Sequence, residues 1–174
     1  MRVLNGLVLM AVAALWTASG SEHEHAVLSP LGSASDPSAM TSLESQVAAS
    51  PDDDALLRTL AQSYIDAKAP GLALAVIERA PSPVRARAKV EHLYARALIE
   101  EGHAQDALAV EHKVLDTCTM ADGVCDSWLI ASARRRADIL EQLVALGVED
   151  ARAEPEVSAV AYHNATREAR LAVR

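Results

Sequence analysis

The stretch Leu57–Ala80, LRTLAQSYIDAKAPGLALAVIERA, decides the fold class. In its first half, Leu60, Ala61 and Tyr64 recur at the spacing that places side chains on one face of a helix. Residues 68–71, KAPG, interrupt this pattern, because proline and glycine disfavour a continuing helix. A second run of apolar residues with helical spacing follows the break. The stretch therefore predicts two helices joined by a short turn.

The same pattern recurs 34 residues further along the chain. Ala95 takes the place of Ala61, Ala107 takes that of Ala73, and Gly102 lies in the second break. A helix–turn–helix unit with this period resembles the tetratricopeptide (TPR) repeat. The resemblance implies an all-α fold, a short TPR-like α-solenoid of antiparallel helix hairpins, two regular and one irregular. An ordinary helical bundle would give similar apolar periodicity, so that alternative stays open.

Three segments of different composition follow one another along the chain. Residues 1–20 carry one basic residue, a ten-residue apolar core and small residues after it, which is typical of a cleaved signal peptide. We therefore expect export to a bacterial periplasm or to the cell exterior. A buried N-terminal helix is the alternative, whereas a permanent membrane span would need about 20 apolar residues. Residues 21–50 are predicted to be a linker with a short helix near 39–49. Residues 51–174 are predicted to be the TPR-like domain, with repeats near 51–83 and 84–117 and an irregular hairpin over 126–174.

Helix boundaries within this domain are also predicted. Ser50 can act as the N-cap of the first repeat helix. The second repeat is expected to consist of helices over 84–101 and 103–117, followed by a loop over 118–125. A long helix near 126–146 is expected to end at Gly147. Its apolar stripe contains Leu129, Ala133, Ala137, Leu140 and Val144.

Charge and motif content exclude several classes of function. The net charge of the 174-residue chain is −8, and a nucleic-acid partner would require a basic face. The chain holds no G-x-S-x-G, P-loop, H-E-x-x-H or dinucleotide fingerprint. We therefore expect a non-enzymatic interaction or scaffold module that needs no cofactor.

The resemblance implies a concave groove lined by the first helix of each repeat. In the family's register, the residues that would bind the partner are Arg58, Gln62, Lys89, His92 and Arg96, with Ile65 and Ile99 beside them. Arg58 and Gln62 are four residues apart and share a helix face, and the same relation recurs 34 residues later. Because guanidinium groups pair well with carboxylates, we expect a protein or peptide partner with acidic groups. A solvated helix face is the alternative.

Two cysteines and two histidines are candidates for other chemistry. Cys118 and Cys125 enclose six residues with an Asp-Gly turn, which favours a structural disulfide in an exported protein. A redox pair more often has the spacing C-x-x-C. Cleavage after Gly20 would make His23 the third residue of the mature chain, with His25 nearby, and create a square-planar nitrogen set suited to copper or nickel. The alternative function is therefore a metal-handling or redox factor.

Some charged residues depart from the repeat pattern. Glu91 and Glu111 fall at repeat positions that they do not fit. The run Arg134–Arg136 is expected to face solvent, on either side of the apolar stripe that contains Ala133 and Ala137.

Overall fold

The computed structural model describes residues 37–120 and 125–172, and every regular element within these ranges is a helix. The described helices are α1 Pro37–Ala49, α2 Asp54–Asp66, α3 Pro70–Arg79, α4 Ser82–Arg85, α5 Ala88–Glu101, α6 Ala104–Met120, α7 Ser127–Ala145 and α8 Pro155–Ala172. The all-α prediction is therefore confirmed. The expected signal peptide, together with His23 and His25, lies outside the described residues.

Helix α2 begins at a carboxylate cap rather than at the predicted serine. The Asp53 side chain accepts hydrogen bonds from the backbone N–H groups of Ala55, at 2.9 Å, and Leu56, at 3.1 Å. These bonds satisfy two donors that the first turn of a helix leaves free. The prediction of Ser50 as the N-cap was wrong, because Asp53 reaches both groups and delays the start of the helix.

Two glycines end helices in the left-handed backbone conformation. Gly102, after α5, has φ +88°, and Gly147, after α7, has φ +75°. This conformation is favourable for glycine because it lacks a Cβ atom. A Cβ at position 102 would also lie 2.9 Å from the Cβ of Asp150. The sequence-based prediction that α7 ends at Gly147 agrees with this geometry.

The helices pack mainly on their neighbours in sequence, with further contacts of α5 against α2, α3 and α7. The four alanines that mark the 34-residue period, Ala61, Ala73, Ala95 and Ala107, are all fully buried. Side chains this small allow helix axes to approach closely, which gives the dense packing typical of protein interiors. Burial of these positions is what the repeat pattern predicts for its helix-facing residues.

The last two long helices continue the same core. Leu129 and Ala133, at the start of the α7 stripe, are buried as predicted, but its final member is Leu143 rather than the expected Val144. Ala161 of α8 joins a buried cluster with residues of α5, α6 and α7. The third hairpin is therefore packed onto the second through a common apolar interior.

Helix α6 extends three residues beyond its predicted end. It runs to Met120, so Cys118 lies in its last turns rather than in the predicted 118–125 loop. The Thr117 and Thr119 hydroxyls donate to carbonyls four residues earlier, which is compatible with a continuing helix. The Sγ atoms of Cys118 and Cys125 lie 2.00 Å apart, the distance of a disulfide.

The helix predicted as the first of the second repeat is divided into two. The segment expected as one helix from 84 to 101 consists of the short α4 and then α5, which starts at Ala88. Pro81 and Pro83 restrict the backbone just before this point.

Across residues 37–120 and 125–172, no helix has both the length and the apolar character needed to span a membrane.

Candidate functional site

Helices α2, α5 and α7 enclose a pocket of about 470 Å³. It is lined by Arg58, Thr59, Gln62 and Ser63 of α2, by Lys89, His92, Leu93 and Arg96 of α5, and by Trp128, Leu129 and Arg136 of α7. This volume lies within the range of pockets that hold small ligands or a few residues of a peptide.

All five residues predicted to bind a partner line this pocket. The geometric basis of that prediction is visible in one contact, in which Arg96 Nη1 donates to Gln62 Oε1 at 2.8 Å across the two helices. Ile65 and Ile99, also expected in the groove, instead pack in apolar clusters. Whether the five polar residues bind a partner stays a prediction.

The pocket wall carries four cationic side chains, and none of its lining residues is a carboxylate. Each cation has an acidic partner outside the lining. Asp54 lies 3.2 Å from Arg58, Asp126 lies 2.8 Å from Lys89, Asp66 lies 3.6 Å from Arg96, and Glu111 lies 2.6 Å from Arg136. The four pairs are neutral in sum, but their positive ends face the pocket. The arrangement favours an anionic ligand, since guanidinium and ammonium groups bind carboxylates well and no lining residue is itself a carboxylate.

A buried polar network forms the floor of the pocket. Glu111 of α6 is fully buried, and its two oxygens accept from different partners. Oε1 accepts from Arg136 Nη1 at 2.6 Å, and Oε2 lies 2.9 Å from His92 Nδ1. Arg136 Nη1 also donates to the backbone oxygen of His92 at 2.8 Å. Satisfying both oxygens makes burial of a carboxylate tolerable at this position.

In a neutral His92, the hydrogen-bond partners determine the tautomer. A carboxylate accepts hydrogen bonds only, so Nδ1 must carry the proton that it donates to Glu111. In the neutral imidazole, Nε2 is then an acceptor, and the Ser132 hydroxyl at 3.0 Å donates to it. Arg136 Nη1 lies 3.3 Å from Nδ1, but its shorter contacts are the acceptors named above. Hydrogen bonds at both ring nitrogens therefore fix the orientation of the His92 ring.

Trp128 is the large apolar side chain at the pocket edge. It is 69% exposed and stands edge-on to His92, with ring centroids 6.2 Å apart. Exposed tryptophans next to polar pockets are common anchors for ligands, because they bury much area at little entropic cost. The pocket thus combines an aromatic surface with a cationic wall.

Sequence reasoning missed the contributions of α6 and α7 to this site. Arg136 was expected to face solvent, but its side chain is only 22% exposed and it pairs with Glu111. Burial lowers the pKa of Arg136, and the charge of Glu111 opposes this effect. Arg134 and Arg135 are exposed, as predicted. The available signal was Glu111 itself, because a charge at an apolar repeat position requires a buried partner.

His92 also differs from its expected setting. It lines the pocket, but it is buried at 7% relative exposure rather than presented on a solvated face. Its role within the site is therefore to connect the pocket to Glu111 and Ser132.

Within the ranges that the structure describes, no group of three or more His, Cys, Asp or Glu side chains could hold a metal ion. The proposed copper or nickel set lies in residues 21–25, which are outside these ranges. Comparison with protein-family models, with curated proteins and with solved structures gives no match to this chain.

Proposed function

We propose that this protein is an exported, TPR-like interaction module that holds an acidic peptide segment or chain terminus in the pocket between α2, α5 and α7. The observation that carries the proposal is the composition of the pocket wall, with four cations and no carboxylate among its lining residues. In a chain whose net charge is −8, this concentration of positive groups is a local exception.

Packing supports the TPR-like arrangement. Helices adjacent in sequence pack on one another, and α5 also contacts α2, the first helix of the preceding repeat. A solenoid built in this way lines one side with its first helices. The pocket residues of α2 and α5 occupy that side in the family's register.

The apolar residues of the pocket indicate that the ligand also carries an apolar group. Trp128 and Leu93 lie beside the cationic wall. A peptide with acidic residues next to an apolar one would pair its carboxylates with the cations and place its apolar side chain against the indole. Because the cations are partly solvated, their contribution should weaken with salt.

Intrinsic fluorescence provides a direct assay. The chain has two tryptophans, so a Trp16→Phe variant of the full chain leaves Trp128 as the reporter. The probe is the peptide acetyl-Glu-Glu-Ala-Leu with a free carboxyl end. Its counterpart is acetyl-Gln-Gln-Ala-Leu-amide, which has the same length and no charge. We expect the acidic peptide to change the emission and bind at least tenfold more tightly than the neutral one.

Substitutions then localise the interaction. Arg96→Gln should weaken acidic-peptide binding by about tenfold, equivalent to about 1.4 kcal/mol. Arg134→Gln removes the same charge from an exposed position outside the pocket lining and should change the dissociation constant less than twofold. Equal binding of both peptides, or equal effects of both substitutions, would refute the proposed use of the pocket.

A further inference from the structure

Ser132 is hydrogen-bonded to His92, which lines the pocket, although Ser132 itself is not one of the lining residues. It lies on α7 one turn from Trp128 and one turn from Arg136, and it is partly exposed. Its Oγ atom is 3.0 Å from His92 Nε2. Helical serines commonly donate to a carbonyl in the preceding turn, and Ser63 in the same pocket does so, with Oγ 2.9 Å from the Thr59 oxygen. Ser132 instead directs its hydroxyl proton to an imidazole.

The imidazole is in turn oriented by a buried carboxylate. His92 Nδ1 lies 2.9 Å from Glu111 Oε2, on the opposite side of the ring from Ser132. The tautomer required by Glu111 leaves the lone pair of Nε2 facing the serine hydroxyl. A hydroxyl, a base within hydrogen-bond reach and a third group that orients the base are the geometric signature of an activated nucleophile.

We propose that Ser132, His92 and Glu111 form the nucleophile, general base and orienting carboxylate of an esterase-type site. Ser132 Oγ attacks the carbonyl carbon of a carboxylic ester while its proton passes to His92 Nε2. The C–O bond to the alcohol breaks, and His92 returns the proton to the departing oxygen, which leaves an acyl group on Ser132. Water then attacks this ester and gives its proton to His92. The bond between the acyl carbon and Ser132 Oγ breaks, and His92 returns the proton to Oγ, which releases the acid and restores the serine.

The surroundings define the class of substrate. Arg136 lies one turn from Ser132 on α7 and lines the adjacent pocket, so its guanidinium would stabilise negative charge developing on the carbonyl oxygen. The pocket cations favour an ester whose acyl part bears a carboxylate, and this preference rests on the proposed function. The adjacent pocket, of about 470 Å³, has room for a small acyl group or a short acylated segment.

Covalent labelling with an uncharged fluorophosphonate tests the nucleophile independently of any anion preference. Attack by Oγ forms a P–O bond and expels fluoride. We expect the adduct in the native full chain to be on Ser132, at a rate at least tenfold above that of Ser63, whose hydroxyl donates to the Thr59 carbonyl rather than to a base. In guanidinium chloride the two rates should become equal. Equal rates in the native protein would overturn the assignment.

The base is tested with His92→Gln, which should lower the labelling rate of Ser132 by about 100-fold. Circular dichroism establishes whether this variant is folded. If it is unfolded, the comparison between native and denatured wild-type protein still decides the assignment, because it requires no substitution. A folded His92→Gln variant that labels at the wild-type rate would overturn the role of His92.

Turnover is measured with mono-p-nitrophenyl succinate and with p-nitrophenyl butyrate, which lacks the second carboxylate. We expect kcat/KM for the succinate ester to fall at least tenfold in Ser132→Ala and to stay unchanged in Ser45→Ala, which changes an exposed serine of α1 outside the pocket lining. Hydrolysis of both esters at equal, Ser132-dependent rates would support the catalytic serine and count against the anionic pocket of the proposed function. Hydrolysis no faster than that of Ser132→Ala would overturn the catalytic proposal even if peptide binding persists.

Discussion

Replacing Arg136 by methionine should destabilise the fold far more than its position near the surface suggests. The side chain of Arg136 is 22% exposed, whereas that of Glu111, its partner, is fully buried. Removing the arginine leaves a carboxylate that cannot turn toward water, with His92 as its remaining partner. Breaking a buried ion pair in this way costs about 3 kcal/mol.

Removing Glu111 should cost less stability than removing Arg136. In Glu111→Leu the charge left behind is that of Arg136, which is partly exposed and can reorient toward solvent, so the loss should be about 1–2 kcal/mol. In the double variant, Arg136→Met with Glu111→Leu, neither charge is left without its partner. The main cost in stability is then the unpaired Nδ1–H of His92. We therefore expect the double variant to be more stable than Arg136→Met alone, since apolar replacement of a buried pair is often close to neutral.

Urea unfolding followed by circular dichroism at 222 nm measures these losses. Arg135→Met is the matched control, because Arg135 is an exposed neighbour on the same helix, and its loss should stay within about 0.5 kcal/mol. The reasoning would be refuted if Arg136→Met matched this control, or if the double variant lost the sum of the two single losses. Either result would mean that Glu111 reaches water by another route.

Three further predictions concern helix ends and titration. Gly147→Ala should cost about 1 kcal/mol from left-handed backbone strain, and Gly102→Ala should cost more in urea unfolding, because its Cβ would meet a neighbouring side-chain carbon at 2.9 Å. Burial, together with a hydrogen bond to a glutamate, raises the pKa of Tyr64 and of Tyr94 to about 12. Their contribution to stability should therefore be complete below about pH 10 and disappear as the pH rises toward 12, and replacing both by phenylalanine should flatten this decline in melting temperature. Hydrogen bonds from a lysine and from the helix backbone hold the pKa of Asp126 below its usual range. Its contribution should be present above the usual carboxyl pKa and lost as the pH falls further, and Asp126→Asn should reduce that acid-induced loss of stability.

The helices and one side of the pocket could be predicted from the sequence because both depend on local spacing. Apolar residues at helical intervals specify which face is buried, and a 34-residue period relates one hairpin to the next. Arg96 and Gln62 are separated by that period, and they are hydrogen-bonded across α5 and α2. In any repeat protein, the period of the sequence shows which residues occupy equivalent positions in successive hairpins.

The other side of the pocket could not be predicted in the same way. Trp128, Ser132 and Arg136 belong to a hairpin without regular repeat spacing, so no register related them to α5. Their shared orientation follows from the apolar stripe of α7, which buries Leu129 and Ala133 and turns the adjacent face toward the pocket. The sequence predicted the stripe except for its last member, but not which element its flanking residues would contact.

One of the two glutamates that break the repeat pattern, Glu111, connects the two halves of the site. Glu111 is at a core position and is fully buried, so its carboxylate requires donors that α6 itself cannot supply. His92 of α5 and Arg136 of α7 supply them. Meeting this requirement holds α7 in the orientation that also brings Ser132 to the other nitrogen of His92. A charged residue at an apolar repeat position therefore indicates that a neighbouring element carries its partner. In this chain, the same carboxylate accounts for one wall of the proposed binding pocket and for the geometry of the proposed nucleophile.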